Sequence, residues 1–449
     1  MDYDITARRA GMSMPRLPLT ETTRMRVSPT ASQGRTMPGP LQHVKAIRMA
    51  NDSRYAPPRY VEYAYYAAVF YGIMGSALGL SIAMLGIGML GVLAVLCVMY
   101  LGSRATTVYA PLAFPLGCAL SFVVLQLAVH GVSLTDDAIR GFIVWMPALI
   151  VVQALVLRQG FLHRFALVAF VTGLALLPYL HVSASASSVK FQRVGLEGGV
   201  TLANPNNLAA WFGFCAVYCI IVGIETKRNV IRVVSWLIAV GCLYVVGITV
   251  SRGTLLAVAI ATIVALRRLL KRGFLPVLYL AILSWIIYTL GVFDQVGAFY
   301  AARGTEETGR LVIWPLVFER FLNAPLTGVG LAKVMTYLPG RVGITPHNHF
   351  LFIALVSGII PLAFYMAYWW LVARGAFRAY TARTGDAPFC LPLVLYAFLI
   401  GNTTNLILEP WVIVTLSIAT AAGTPRRMRR MIVRQIRTRD QRFVCPASS

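Results

Sequence analysis

Apolar residues run almost unbroken through most of this chain, interrupted at intervals by short polar clusters. Runs of about 20 apolar residues match the roughly 30 Å of a bilayer's hydrocarbon core. About twelve such spans can be drawn, near 63–81, 82–101, 111–129, 141–157, 165–180, 207–224, 233–250, 254–266, 274–292, 349–372, 389–407 and 411–423. The first two form one run too long for a single helix, divided near Gly79; the eighth and twelfth are short for a full crossing. Backbone in lipid must satisfy its own hydrogen bonds, and an alternating strand pattern is absent, so helices are predicted rather than barrel strands. The expected fold is an all-α polytopic membrane protein with about 12 transmembrane helices.

Composition supports this. Of 449 residues 58% are apolar and 12% charged, with mean hydropathy +0.71, whereas soluble domains carry about 25% charged residues. The net charge of +24 raises the question of nucleic acid, and the placement of the charges answers it. With a cytoplasmic N-terminus, 31 of the 40 Lys and Arg fall in the termini and cytoplasmic loops, as the positive-inside rule requires. No nucleic-acid partner is expected.

Residues 1–60 are polar and Pro-rich and lack the hydrophobic core of a signal peptide, which predicts a disordered basic cytoplasmic arm before a membrane domain at 61–423. Residues 424–449 form a basic cytoplasmic tail with eight arginines, suited to anionic membrane lipids or to a stop-transfer flank. Cys215 and Cys219 lie one helical turn apart with no His or carboxylate beside them, so they read as packing residues.

By these boundaries no Asp, Glu, Lys or Arg sits in the middle of a span, which argues against ion-coupled transport. Polar residues gather instead in two long periplasmic loops, 181–206 and 293–348, and in the turn 250–253. In the longer loop, the apolar stretch 311–318 is followed by Glu319 and Arg320, a pattern that suits an interfacial helix or one packed on the bundle.

Several outer-face motifs occur in order: Asn204-Pro205-Asn206-Asn207, Thr249-Val250-Ser251-Arg252-Gly253, Gly309-Arg310-Leu311-Val312-Ile313-Trp314, Ala324-Pro325-Leu326-Thr327-Gly328-Val329-Gly330-Leu331, and Pro346-His347-Asn348-His349-Phe350-Leu351 with Gly358. Together they resemble the shared core of the O-antigen ligase and polymerase superfamily, over roughly 190–365 by motif and the whole chain by topology. In the ligase pattern a His-Asn pair is followed by nine residues and a Gly, as at His347, Asn348 and Gly358; the pattern's last position holds Pro361 here, a departure.

The resemblance implies a GT-C-like glycosyltransferase of the bacterial inner membrane, with both termini cytoplasmic and the active site periplasmic. It implies inverting, metal-independent transfer of a glycan from undecaprenyl diphosphate to a lipid A-core sugar hydroxyl, with no cofactor. His347 is the implied general base, and Asn348 would orient its imidazole or an acceptor hydroxyl. Arg193 and Arg310 are the best matches for the family's diphosphate-binding arginines, with Arg303 a rival to Arg310 and Arg252 a further candidate. The residue types fit the chemistry. A guanidinium binds phosphate oxygens bidentately and stays charged, and a neutral imidazole can take a hydroxyl proton near pH 7.

Blander roles exist for each. A His at a helix start can cap or pack, Asn348 can be an N-cap, and Arg252 can anchor at the interface. His349, Glu306 and Glu307 are competing bases; His349 ranks lower because it would face about 100° away from His347 if both were helical. No glycine-rich phosphate loop, carboxylate cluster or His/Cys metal spacing occurs in the outer segments. Alternatives with the same donor are the O-antigen polymerase and a protein O-oligosaccharyltransferase. A lipid-linked oligosaccharide flippase is the alternative of another class, though no internal repeat is visible.

Overall fold

The computed structural model describes residues 57–80, 82–102, 111–184, 192–196, 204–270, 282, 285, 289, 291, 293–303, 310–335, 345–382, 386–404 and 407–423. The expected arm and tail lie outside these, apart from residues 57–60, as does almost all of the ninth expected span, 274–292.

Fourteen α-helices and one β-hairpin are defined among the described residues. Helices α1 (Arg59–Ala77) and α2 (Ile82–Gly102) are separated by a turn in which Gly79 has φ 66°, so the long first run divides where its glycine permits a left-handed residue. Then follow α3 (Ala113–Ala128), α4 (Asp137–Leu155), α5 (Phe161–Leu176), α6 (Pro205–Glu225), α7 (Asn229–Ile248) and α8 (Arg252–Leu270). Two helices, α9 (Asp294–Arg303) and α10 (Arg310–Leu322), occupy the second long loop. The chain returns through α11 (His349–Ser357), α12 (Ile359–Ala382), α13 (Ala387–Gly401) and α14 (Pro410–Gly423).

Five described segments are long and apolar enough to cross a membrane: 137–155, 161–179, 205–225, 229–248 and 359–381. Shorter apolar helices cover 84–99, 113–128, 387–401 and 410–422, and α1 and α8 coincide with the first and eighth expected spans. The chain is thus an all-α, multi-pass membrane protein. Helix α6 is its centre: 78% of its most apolar window is buried, against 33% for α7. Peripheral helices leave large side chains such as Met84, Val92, Met99, Val230 and Leu237 exposed, the surface that lipid covers.

Two departures from the sequence reading matter. The first long loop contains an antiparallel hairpin, β1 (Leu180–Ala184) with β2 (Gln192–Leu196), pairing Ser183 with Arg193. The tenth span, drawn as one run over 349–372, is two helices broken at Gly358. At the end of the bundle opposite the long loops, Glu62 is buried and ties α1 to the α4–α5 turn. It accepts hydrogen bonds from Arg164 Nε (2.6 Å) and Tyr66 Oη (2.5 Å), with Arg158 Nε at 3.2 Å.

Candidate functional site

The break between α11 and α12 organises the loop end of the molecule. Gly358 has φ 77° and ψ −165°, a conformation essentially restricted to glycine. The carbonyls at the end of α11 are taken by the segment that follows α10: Val329 N donates to Leu355 O (2.7 Å) and Gly330 N to Val356 O (3.1 Å). The head of α12 is held the same way, Ile359 N donating to Pro325 O (2.8 Å). Gln126 of α3 completes the lock, donating to Val356 O (2.9 Å) and accepting from Leu331 N (2.9 Å). Irregular backbone within a membrane bundle is tolerated where protein satisfies it.

This interlock explains two of the motifs at once. A Cβ on Gly358 would lie 2.3 Å from Leu326 O, and one on Gly328 would lie 2.4 Å from the Val356 carbonyl carbon. The run 324–331 and Gly358 are therefore two sides of one backbone contact. Pro361 is the third residue of α12, where the amide has no intrahelical acceptor in any case, so its departure from the pattern leaves the helix intact.

Asn348 is the N-cap of α11. Its Oδ1 accepts from Phe350 N (2.9 Å) and Leu351 N (3.1 Å), while its Nδ2 donates to Asn402 Oδ1 (2.9 Å). His347 precedes the helix with φ 47°, and the left-handed region costs a residue with a Cβ about 1–2 kcal/mol. Val250, in the turn before Arg252, is the other such residue among those described, with φ 55°. Trp314 of α10 donates to Pro346 O (3.1 Å) and so fixes the residue before His347. Ile313 and Val317 pack on Leu355, while Phe318 and Leu322 of the same helix are exposed.

His349 is lower in rank for a different reason from the one the sequence suggested. His347 is not helical, so the angular argument does not apply; His349 is 1% exposed and sits behind its neighbour. Its ring lies against the backbone of Gly401, whose added Cβ would be 1.9 Å from Cε1, and its Nδ1 is 3.2 Å from Tyr365 Oη.

The connection between α13 and α14 draws the motifs together. Asn402 reaches Asn348 as above, and Thr404 Oγ1 donates to Asn207 Oδ1 (3.0 Å) at the head of α6. Thr403 packs on Gly253, where a Cβ would be 2.8 Å from Thr403 Cγ2. At the head of α6, Asn204 Oδ1 accepts from Asn206 N (2.9 Å) ahead of Pro205, and at the head of α8 the hydroxyls of Ser251 and Thr254 are hydrogen-bonded (2.9 Å). Segments 204–207, 251–253 and 347–348, far apart in sequence, thus meet on one loop. Asn402, Thr403 and Thr404 were missed because they end a long apolar run; three consecutive polar residues there were the available signal.

Arg252 is the first residue of α8 and belongs to this convergence. Arg193 lies in β2, beside α6; Arg303 ends α9 and Arg310 begins α10. The side chains of Arg193, Arg303 and Arg310 lie outside the described residues, as do Glu306 and Glu307 entirely. Among the described residues, no three His, Cys, Asp or Glu side chains are grouped to hold a metal ion.

Residues 237–366 match the family model described as O-antigen ligase. The match begins within α7, ends within α12, and includes the turn 250–253, both helices of the second long loop, the His347-Asn348 pair and the Gly358 break. No curated protein sequence matches the chain significantly. The resemblance first carried by scattered motifs thus coincides with a continuous match over the segments that interlock at the loop end, and the chain is a multi-pass membrane protein whose residues 237–366 are similar to the O-antigen ligase family.

Proposed function

We propose that this protein is an O-antigen ligase of the bacterial inner membrane, with its active site on the periplasmic face. It transfers a polysaccharide from undecaprenyl diphosphate to a sugar hydroxyl of lipid A-core, with inversion and without a metal. The observation that carries the reading is the convergence of the 204–207, 251–253 and 347–348 segments on residues 402–404, inside a bundle that carries the ligase family match.

In this reading His347 takes the proton of the acceptor hydroxyl. The hydroxyl oxygen forms a bond to the anomeric carbon as the carbon–oxygen bond to the diphosphate breaks. The electron pair leaves on the diphosphate oxygen, and arginines neutralise the charge that develops. Arg193 and Arg310 are assigned that role, with Arg252 and Arg303 as further candidates. Asn348 positions His347 through the backbone, its own side chain being fixed as the N-cap of α11. A diphosphate leaving group needs no general acid, which agrees with a site whose chemistry is one base and several fixed cations.

The test is an in vitro transfer assay with purified protein, an undecaprenyl-diphosphate-linked glycan and lipid A-core, with EDTA present throughout. A higher-mass glycolipid, lost in His347→Ala, supports the ligase. Elongation of the donor alone would show a polymerase, and transfer to a protein hydroxyl would show an oligosaccharyltransferase.

A further inference from the structure

The loop that gathers the three motifs ends in Glu409, which the mechanism above does not use. Glu409 is 8% exposed, and its carboxyl has neither a hydrogen-bond donor nor a cation among the described residues. A carboxylate before a helix ordinarily takes that helix's free amides, and this one does not. Only its backbone carbonyl is engaged, by Val412 N (3.0 Å) and Ile413 N (3.1 Å). Burial pushes the carboxyl up to about 7. Two residues on, the indole N–H of Trp411 is also buried without a partner among the described residues, its ring packed between Phe214 and Tyr396.

A carboxyl in a residue this buried, with no protein partner among the described residues, is costly to the fold unless something else meets it, and ionisable groups perturbed by burial cluster at functional sites. Its place on the chain points to the partner. The same short connection carries Asn402, Thr403 and Thr404, which touch the segments of His347, Arg252 and Asn207. The ligand expected there is a glycan, and a sugar hydroxyl is the group a carboxyl accepts from. We infer that Glu409 is a substrate-contacting residue of the transfer site, its carboxyl the hydrogen-bond partner of a sugar hydroxyl of the donor or acceptor glycan; this rests on the ligase reading.

The experiment compares wild type with Glu409→Gln and Glu409→Asp in the transfer assay, varying undecaprenyl-linked glycan and lipid A-core separately, alongside thermal melting in detergent. The expected result is at least a tenfold loss of kcat/KM in Glu409→Gln, with partial recovery in Glu409→Asp, while Glu409→Gln melts at or above the wild-type temperature. A rise confined to the donor KM or to the acceptor KM says which glycan supplies the hydroxyl. Transfer by Glu409→Gln within twofold of an active wild type overturns this inference alone. Lost transfer accompanied by a lower melting temperature also overturns it, since the carboxyl would then be holding the loop. A folded wild type that makes no glycolipid overturns the ligase reading and this inference with it.

Discussion

Gly358→Ala tests the interlock at the broken helix independently of any function. The added Cβ would lie 2.3 Å from Leu326 O, 2.5 Å from Leu326 C and 2.8 Å from Pro325 O. All three are backbone atoms, so no rotamer change relieves the overlap. Holding alanine at φ 77°, ψ −165° costs about 1–3 kcal/mol. Relief requires the segment 325–330 to withdraw, breaking the bonds Ile359 N–Pro325 O, Val329 N–Leu355 O and Gly330 N–Val356 O, at about 0.5–1.5 kcal/mol each. The total is about 3–7 kcal/mol, which in a chain of this length corresponds to a fall in melting temperature of roughly 3–9 °C. The control is Gly241→Ala in α7, where nothing lies within 4 Å of the new Cβ and helix propensity favours alanine by up to about 1 kcal/mol. Tryptophan-fluorescence melting in detergent measures both. If Gly358→Ala melts with the wild type, the backbone contact between 325–330 and the α11–α12 break is not what holds the loop end.

Other expectations follow from the same geometry. Asn348→Ala removes an N-cap, worth about 1 kcal/mol, together with the link to Asn402; Asn348→Asp keeps the cap and should melt closer to wild type, while transfer assays of both show whether the pair positions His347. Glu62→Ala leaves Arg158 and Arg164 without their shared carboxylate and should destabilise the protein by about 2–3 kcal/mol in melting, below the fully buried range because Arg164 is 40% exposed. Because Glu409 is neutral in the fold up to about pH 7 but ionises near pH 4.5 when unfolded, the unfolded state binds fewer protons across that window. Stability should therefore fall as pH rises from about 4.5 to 7, by on the order of 3 kcal/mol, and the difference between wild type and Glu409→Gln in a pH series of melts isolates this slope.

The membrane helices were legible because lipid imposes one rule on every span, and a run such as 207–224 obeys it without help from the rest of the chain. Gly79 was legible for the same local reason, as a glycine in an over-long run. The break at Gly358 was not, since apolar residues flank it on both sides. What stops the helix there is backbone from 325–330, invisible to any reading of 349–372 alone. Asn204 with Pro205 and Asn348 could be read as caps, but their convergence depends on Thr404 and Asn402, which reach across about 200 and 50 positions of sequence. The strands Leu180–Ala184 and Gln192–Leu196 were missed because each is only five residues long, and the alternation in the first is too short to stand out where it continues an apolar span.

That convergence has an electrostatic consequence. The three motifs sit at the heads of α6, α8 and α11, and residues 402–409 lead into the head of α14. Helix heads carry unpaired amides and the positive end of the peptide dipoles. Three such ends meet residues 402–404, and Arg252 is the first residue of one of them. In the proposed ligase reaction the diphosphate gains charge as it leaves the anomeric carbon, and positive helix ends beside Arg252 would stabilise it more after departure than before, which is the requirement for catalysis rather than mere binding. This arrangement of helix heads is what the proposed group transfer requires, whichever arginine binds the phosphates.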